Sequence, residues 1–195
     1  MPQLETLERH CKEAISRNAA NAAEICGRIS GYVDAVDGGV YVYDARTFGH
    51  DLNEQDELLD EYFSLGPDAS AVHAQLHVEN STKSPVFSRS NKTVNENMKL
   101  DTIQTIVKDY DWLLQRNLTM LIYVGQFDML DGPVGIQKWM KKLNYWDSAH
   151  FHEQSRKIYR YDDAEGENRV GGYYKQSNHL SFLIVYGAGH LVPTN

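Results

Sequence analysis

The sequence predicts an α/β protein with parallel strands, and three observations lead there. Met120–Val124 and Phe182–Tyr186 are short apolar runs with the length and β-branched content of buried strands. Each run stops at a glycine, Gly125 or Gly187, where the backbone turns without the penalty of a Cβ. Each turn then delivers one chemically competent side chain just past the carboxyl end of its strand: Asp128 after the first, His190 after the second. In parallel sheets, ligands and chemistry gather at that edge. An Asp and then a His in this chain order correspond to the second and third members of a Ser…Asp…His triad.

Composition narrows the classes of function. A chain of 195 residues has the size of one ordinary domain. The formal charge of -8 and the lack of a basic stripe exclude nucleic acid as an expected partner. No apolar run reaches the roughly 18 residues that a membrane span requires, so no membrane partner is expected. The first residues, Met-Pro-Gln-Leu-Glu-Thr, carry neither the basic nor the apolar block of a signal peptide. Three N-x-[Ser/Thr] sequons, at Asn80, Asn91 and Asn117, are acceptor sites for glycans and point toward a secretory or lysosomal home.

The elements follow in order. Leu4, Leu7, Cys11, Ala14 and Ile15 recur at helical spacing over residues 3–17, and Asn18–Asn21 reads as a turn. Ala22–Ile29 reads as a second helix that stops near Gly31. Such a hairpin sets Cys11 and Cys26 at the same height; a bridge between them, packed thiols and partners elsewhere all remain open. Val40–Asp44 is an extended stretch after the Asp37-Gly-Gly break, and residues 45–55 are polar and irregular. Glu54–Ser64 and Ala69–Leu76 read as helices, and residues 79–99 as a polar surface loop. Thr102–Leu114 predicts an amphipathic helix with Ile103, Ile106, Tyr110 and Leu113 on one face. Pro133 suits a first helical position, and Ile136, Trp139, Met140 and Leu143 form the apolar stripe behind it. Residues 145–168 show no clear period. Tyr173–Gln176 and the Phe182 run predict an antiparallel hairpin across Ser177-Asn178. Tyrosine pairs such as Tyr159/Tyr161 read as strand faces.

Val124-Gly-Gln-Phe-Asp128 and Gly187-Ala-Gly-His-Leu-Val-Pro193 resemble the aspartate and histidine motifs of the serine carboxypeptidases. Asp60-Glu-Tyr-Phe63, Gln75-Leu-His-Val78, Asp101–Ile106 and Gly172-Tyr-Tyr-Lys175 support the resemblance, which is nearest to the vitellogenic-like and retinoid-inducible branch. It runs colinearly over almost the whole chain but matches only the second half of a family member. It implies residues 1–195 of a partial α/β-hydrolase domain, the carboxy-terminal part of the sheet, with residues 1–36 as helices of the cap insertion. It also implies serine-type carboxypeptidase chemistry on peptide carboxyl termini, without a cofactor, in the secretory pathway, lysosome or vacuole, or outside the cell. His190 would be general base and then general acid, with Asp128 as its orienter.

The nucleophile is the departure from the pattern. No Gly-x-Ser-x-Gly elbow occurs in the sequence; Gly27-Arg-Ile-Ser30-Gly31 has one residue too many before its serine and follows a helical pattern. The family's oxyanion hole and carboxylate-binding residues belong to its first half, and its final helix lies beyond the His-x-Val-Pro motif. The chain therefore reads as a fragment that is inactive alone, with the missing amino-terminal half as a partner. The alternative is a catalytically silent homologue that binds peptides or proteins. By motif match, Leu130 and Asp131 would help to line the pocket for the penultimate substrate side chain, and Leu191 the terminal one; Asp131 reads equally as a charge favouring the start of the helix at Pro133. No metal is expected. His150-Phe-His152 lacks further ligands at useful spacing, and His73 and His77 lack the Glu of an H-E-x-x-H pattern.

Overall fold

A computed structural model describes residues 2–48, 69–77 and 90–194. The expected helix at Glu54–Ser64, the Asp60–Phe63 match and the sequon at Asn80 lie outside these residues. Within them the chain divides into two compact units, residues 2–35 with 69–77 and 90–104, and residues 36–48 with 105–194.

The first unit is helical. Helix α1 (Pro2–Ser16) and helix α2 (Ala22–Val36) are joined by a turn in which Asn18 takes φ +49°. Cys11 and Cys26 form a disulfide across this hairpin with Cα atoms 4.6 Å apart, which resolves the pairing left open by the sequence. Helix α2 does not stop near Gly31. Its half-buried stripe continues through Ile25, Ile29, Tyr32 and Val33, so packing carries the helix past a residue that costs it about 1 kcal/mol in propensity. Helix α3 (Ala69–Gln75) is where the sequence places it. The expected loop at 79–99 is corrected over its second part: Lys92–Met98 is a helix, α4, started by Asn91, whose Oδ1 accepts the Val94 N–H at 3.1 Å.

The second unit contains the sheet. Val40–Asp44 is not one extended stretch. It folds back as a hairpin of β1 (Val40–Tyr41) and β2 (Asp44–Phe48), which also removes residues 45–48 from the expected irregular segment. Helix α5 begins at Val107, not Thr102, and ends at Leu114. A short 3-10 turn at Asp101–Ile103 and an extended Gln104 interrupt the periodic pattern. The face that enters the core is accordingly Val107, Tyr110 and Leu114, while Ile106 is 55% exposed.

The main sheet has four strands in the order β3 (Met120–Gly125), β6 (Leu180–Val185), β5 (Asn168–Gln176) and β4 (Lys157–Asp162). β3 and β6 run parallel, with Met120 opposite Leu180 and Gly125 opposite Val185. β5 is antiparallel to β6 through the hairpin predicted across Ser177-Asn178, and β4 is antiparallel to β5. Helix α6 (Pro133–Met140) starts at its proline as expected. Helix α7 (Ser148–Glu153) falls where no period is readable, whereas strand β4 contains the Tyr159/Tyr161 pair that reads as a strand face. The helix is short, and all six residues of β4 are exposed, so neither leaves a strong apolar pattern.

The core lies on one face of this sheet. Leu114, Met140 and Phe151 from the three helices meet Val124, Phe182 and Ile184 from β3 and β6. The strand period of two sends Leu121 and Tyr123 to the other face, where they are 58% and 51% exposed.

Asp147, buried before α7, ties the β5–β6 turn down. Its Oδ2 accepts the Asn178 N–H at 3.2 Å and its Oδ1 lies 3.2 Å from His150 Nδ1. Burial pushes this carboxyl up, but the Ser177 hydroxyl, the Asn178 N–H and His150 outweigh it and hold it below the ordinary carboxylate range. A depressed folded-state value contributes stability that is present above the unfolded value and lost as pH falls through the folded one. The stability difference between wild type and Asp147→Ala should therefore shrink as pH is lowered from about 6 toward 3. Urea midpoints across that range test this; a constant difference contradicts it.

Candidate active site

The carboxyl ends of β3 and β6 approach more closely than side chains permit. A Cβ built on Gly125 would stand 1.9 Å from the Gly189 carbonyl oxygen and 2.5 Å from that of Ala188. With glycine there, the two strand-end loops join by backbone hydrogen bonds: Gln126 N–H donates to the Val185 carbonyl at 3.0 Å, and Phe127 N–H to that of Ala188 at 2.9 Å. Gly187 makes the turn out of β6 at φ +75°, a conformation that favours glycine.

This junction brings Asp128 and His190 together. Oδ2 of Asp128 lies 3.0 Å from Nδ1 of His190, inside the expected hydrogen-bond range. Oδ1 of Asp128 accepts the N–H groups of Leu130 and Asp131, both at 2.9 Å. The carboxylate is thus held at Oδ1 by its own loop and at Oδ2 by His190, and its side chain is only 3% exposed against 28% for His190. An acceptor-only carboxylate at Nδ1 places the ring proton there, and in the neutral imidazole Nε2 is then the acceptor. Chemically this is a base held in one tautomer, with an adjacent negative charge to balance the imidazolium that forms when it takes a proton.

The remaining predicted residues divide. Asp131 stands before Gly132, the residue preceding α6, and its Oδ2 is 3.9 Å from His190 Nδ1, a second carboxylate facing the same ring. Leu130 is 52% exposed and Leu191 half-buried. A cavity of about 680 Å³ on the β4–β5 side is lined by Tyr161, Asp163, Arg169, Val170, Tyr173 and Tyr186, none of them a predicted site residue. Asn91 and Asn117 are exposed, Asn91 as the start of α4 and Asn117 at φ +61° in the turn before β3. Burial, then Lys175 and Lys141, holds His152 below the usual histidine range. Among the described residues no group of three or more His, Cys, Asp or Glu is placed to hold a metal.

One part of the site was not read from the sequence. The β1–β2 hairpin contacts both loops: Ala45 N–H donates to the Phe127 carbonyl at 2.9 Å, Met129 N–H to Val42 at 3.2 Å, and His190 N–H to Tyr43 at 2.6 Å. The Arg46 guanidinium lies 4.7 Å from the Phe127 ring centre and chelates Asp44, holding that carboxyl low. The sequence marks Tyr43 and Asp44 only as the end of an extended stretch, which assigns them no role at the site.

Residues 4–195 match the family described as serine carboxypeptidase. The chain belongs to the serine carboxypeptidase family. It is 31% identical over 160 residues to carboxypeptidase Y of Candida albicans, an alignment covering 80% of this chain and 27% of that protein. It is 34% identical over 95 residues to a pheromone-processing carboxypeptidase of Phytophthora infestans, covering 49% of this chain and 15% of that protein. Among solved structures, a prohormone-processing carboxypeptidase from Saccharomyces cerevisiae superposes with a TM-score of 0.67 at 17% identity, over 99% of this chain and 44% of that one. The fold is therefore part of an α/β-hydrolase, and the chain spans less than half the length of these relatives.

Gly125→Ala should destabilise the chain by about 2–3 kcal/mol, because the contact it meets is backbone and cannot swing aside. The denaturation midpoint measures it, and an unchanged midpoint contradicts the close approach.

Proposed function

We propose that this chain supplies the acid–base half of a serine-type carboxypeptidase, an enzyme that releases the terminal residue of a peptide through an acyl-enzyme. The observation that carries the proposal is the 3.0 Å contact of Asp128 with His190 at the ends of adjacent parallel strands, in a chain of this family. In the reaction, Nε2 of His190 accepts the proton of a serine hydroxyl as it attacks the scissile carbonyl. The imidazolium then gives that proton to the leaving amine. A water molecule, deprotonated in the same way, releases the acyl group. Asp128 keeps the proton on Nδ1 and offsets the charge on the ring.

The nucleophile lies outside these residues, since the 195 contain no Gly-x-Ser-x-Gly. We place the chain in the vitellogenic-like and retinoid-inducible branch, as the carboxy-terminal half of the domain with residues 1–36 as cap helices, and its home in the secretory pathway, lysosome or vacuole, or outside the cell. Glycans at Asn80, Asn91 and Asn117 fit that home. The partner half would dock along β3, the end strand of the sheet, beside exposed Leu121 and Tyr123. Among the described residues no helix is long and apolar enough to cross a membrane. A second reading, a silent peptide- or protein-binding homologue, is favoured by the same lack of an elbow.

For substrate choice, Leu130 and Leu191 would contact apolar side chains, and Asp131 would favour Lys or Arg next to the terminus.

Two measurements check the proposal. The chain alone should neither cleave a blocked dipeptide nor label with a fluorophosphonate; stoichiometric labelling of a serine, Ser30 being the first to inspect, overturns this. In an intact enzyme carrying this half, Asp131→Asn should lower the ratio of kcat/KM for penultimate Arg over Leu by about tenfold. An unchanged ratio removes Asp131 from the pocket.

A further inference from the structure

The two partners in the candidate site are not equally secured. Asp128 is fixed through both oxygens, to two backbone N–H groups and to His190. Among the described residues His190 has one hydrogen bond from its ring, to that carboxylate, on a terminal torsion that is intrinsically broad, and it follows a turn containing Gly187 and Gly189. A single hydrogen bond leaves such a ring able to tilt or turn away.

Tyr43 touches this histidine twice. Its carbonyl accepts the His190 N–H at 2.6 Å, and its ring lies against the imidazole with centres 5.0 Å apart and planes at 34°. The Tyr43 ring is in turn set by the edge of Tyr41, with centres 5.2 Å apart at 77°. Both separations lie in the range over which aromatic rings attract, and the Tyr41–Tyr43 pair has the favoured edge-to-face arrangement. The hairpin that carries Tyr43 is also bonded to the aspartate loop at Phe127 and Met129. One element therefore grips both sides of the pair. Gly189 is part of the grip, because a Cβ there would stand 2.5 Å from the Tyr43 carbonyl oxygen and 3.0 Å from Oδ2 of Asp44.

We propose that Tyr43 is a positioning residue whose ring holds the His190 imidazole in the plane that keeps Nδ1 on Asp128. The proposal rests on the reading of His190 as the general base. The charged groups around the ring are Asp128 and, at 3.9 Å, Asp131; Asp44 beside Gly189 is engaged by Arg46. The ring does the holding, so phenylalanine should replace tyrosine and an aliphatic residue should not.

The test uses the full 195-residue chain with isotope-labelled histidine, read by NMR. Wild type should show a ring-to-ring Overhauser effect between Tyr43 and His190, and nitrogen shifts of the Nδ1–H tautomer. Tyr43→Phe should retain both. In Tyr43→Leu the tautomer preference should fall and exchange of the Nδ1 proton with water should quicken, by about tenfold for one lost aromatic contact. Unchanged nitrogen shifts and exchange in Tyr43→Leu overturn the proposal. Asp128→Asn separates it from the reading beneath it. If that variant leaves the tautomer unchanged, the Asp–His pairing itself fails; if it abolishes the preference while Tyr43→Leu does nothing, only the role of Tyr43 fails. Should Tyr43→Leu not fold, the Overhauser effect in wild type decides, and its absence overturns the proposal.

Discussion

At the ends of β3 and β6, the backbone of Gly125 lies where a Cβ would be 1.9 Å from the Gly189 carbonyl oxygen. Every other feature of the site depends on that approach. The parallel register puts Gly125 opposite Val185, so the two strands end level. With no side chain between them, the loops bond through Gln126 and Phe127, and Asp128 and His190 emerge close enough to share a proton. Moving either loop outward by the width of a methyl group would break the 3.0 Å contact. The geometry is set by main chain, which is stiffer than a contact between long side chains.

The support beneath that junction is asymmetric. Helices α5, α6 and α7 pack Leu114, Met140 and Phe151 against one face of the sheet, and Asp147 pins the β5–β6 turn from the same region. On the other face Leu121 and Tyr123 are exposed, and β3 stands at the end of the sheet. Parallel strands are ordinarily covered on both faces. The proposed division of labour follows that asymmetry, with the acid–base pair on a well-packed unit and the nucleophile expected from what would cover the remainder.

The parts of the fold legible in sequence are those whose cause is local. Met120–Val124 and Phe182–Tyr186 read as strands because their apolar runs are uninterrupted and end in glycine. Asp128 and His190 read as a pair because each sits a fixed few residues beyond its strand. Where the cause is tertiary, the reading fails. Ile103 and Ile106 continue the periodicity of α5, yet an extended Gln104 cuts Ile103 off from the helix, and Ile106 only precedes it and is exposed. Gly31 looks like a terminus, yet packing carries α2 beyond it to Val36. Strand β4 is wholly exposed, and the Tyr159/Tyr161 pair is the one alternation that marks it in the sequence. The contact of Tyr43 with His190 joins distant segments, so no local pattern reveals it. The Cys11–Cys26 bridge was one of several open possibilities until the hairpin placed the two Cα atoms together.

The central claim is that His190 acts as the base for a serine held on another part of the fold. Its most direct measurement is the rate at which a fluorophosphonate labels an elbow serine presented in trans, on the amino-terminal half of a serine carboxypeptidase. Addition of this chain should accelerate labelling of that serine, and the same chain carrying His190→Ala should bind equally but not accelerate it. Equal acceleration by the two chains would contradict the account.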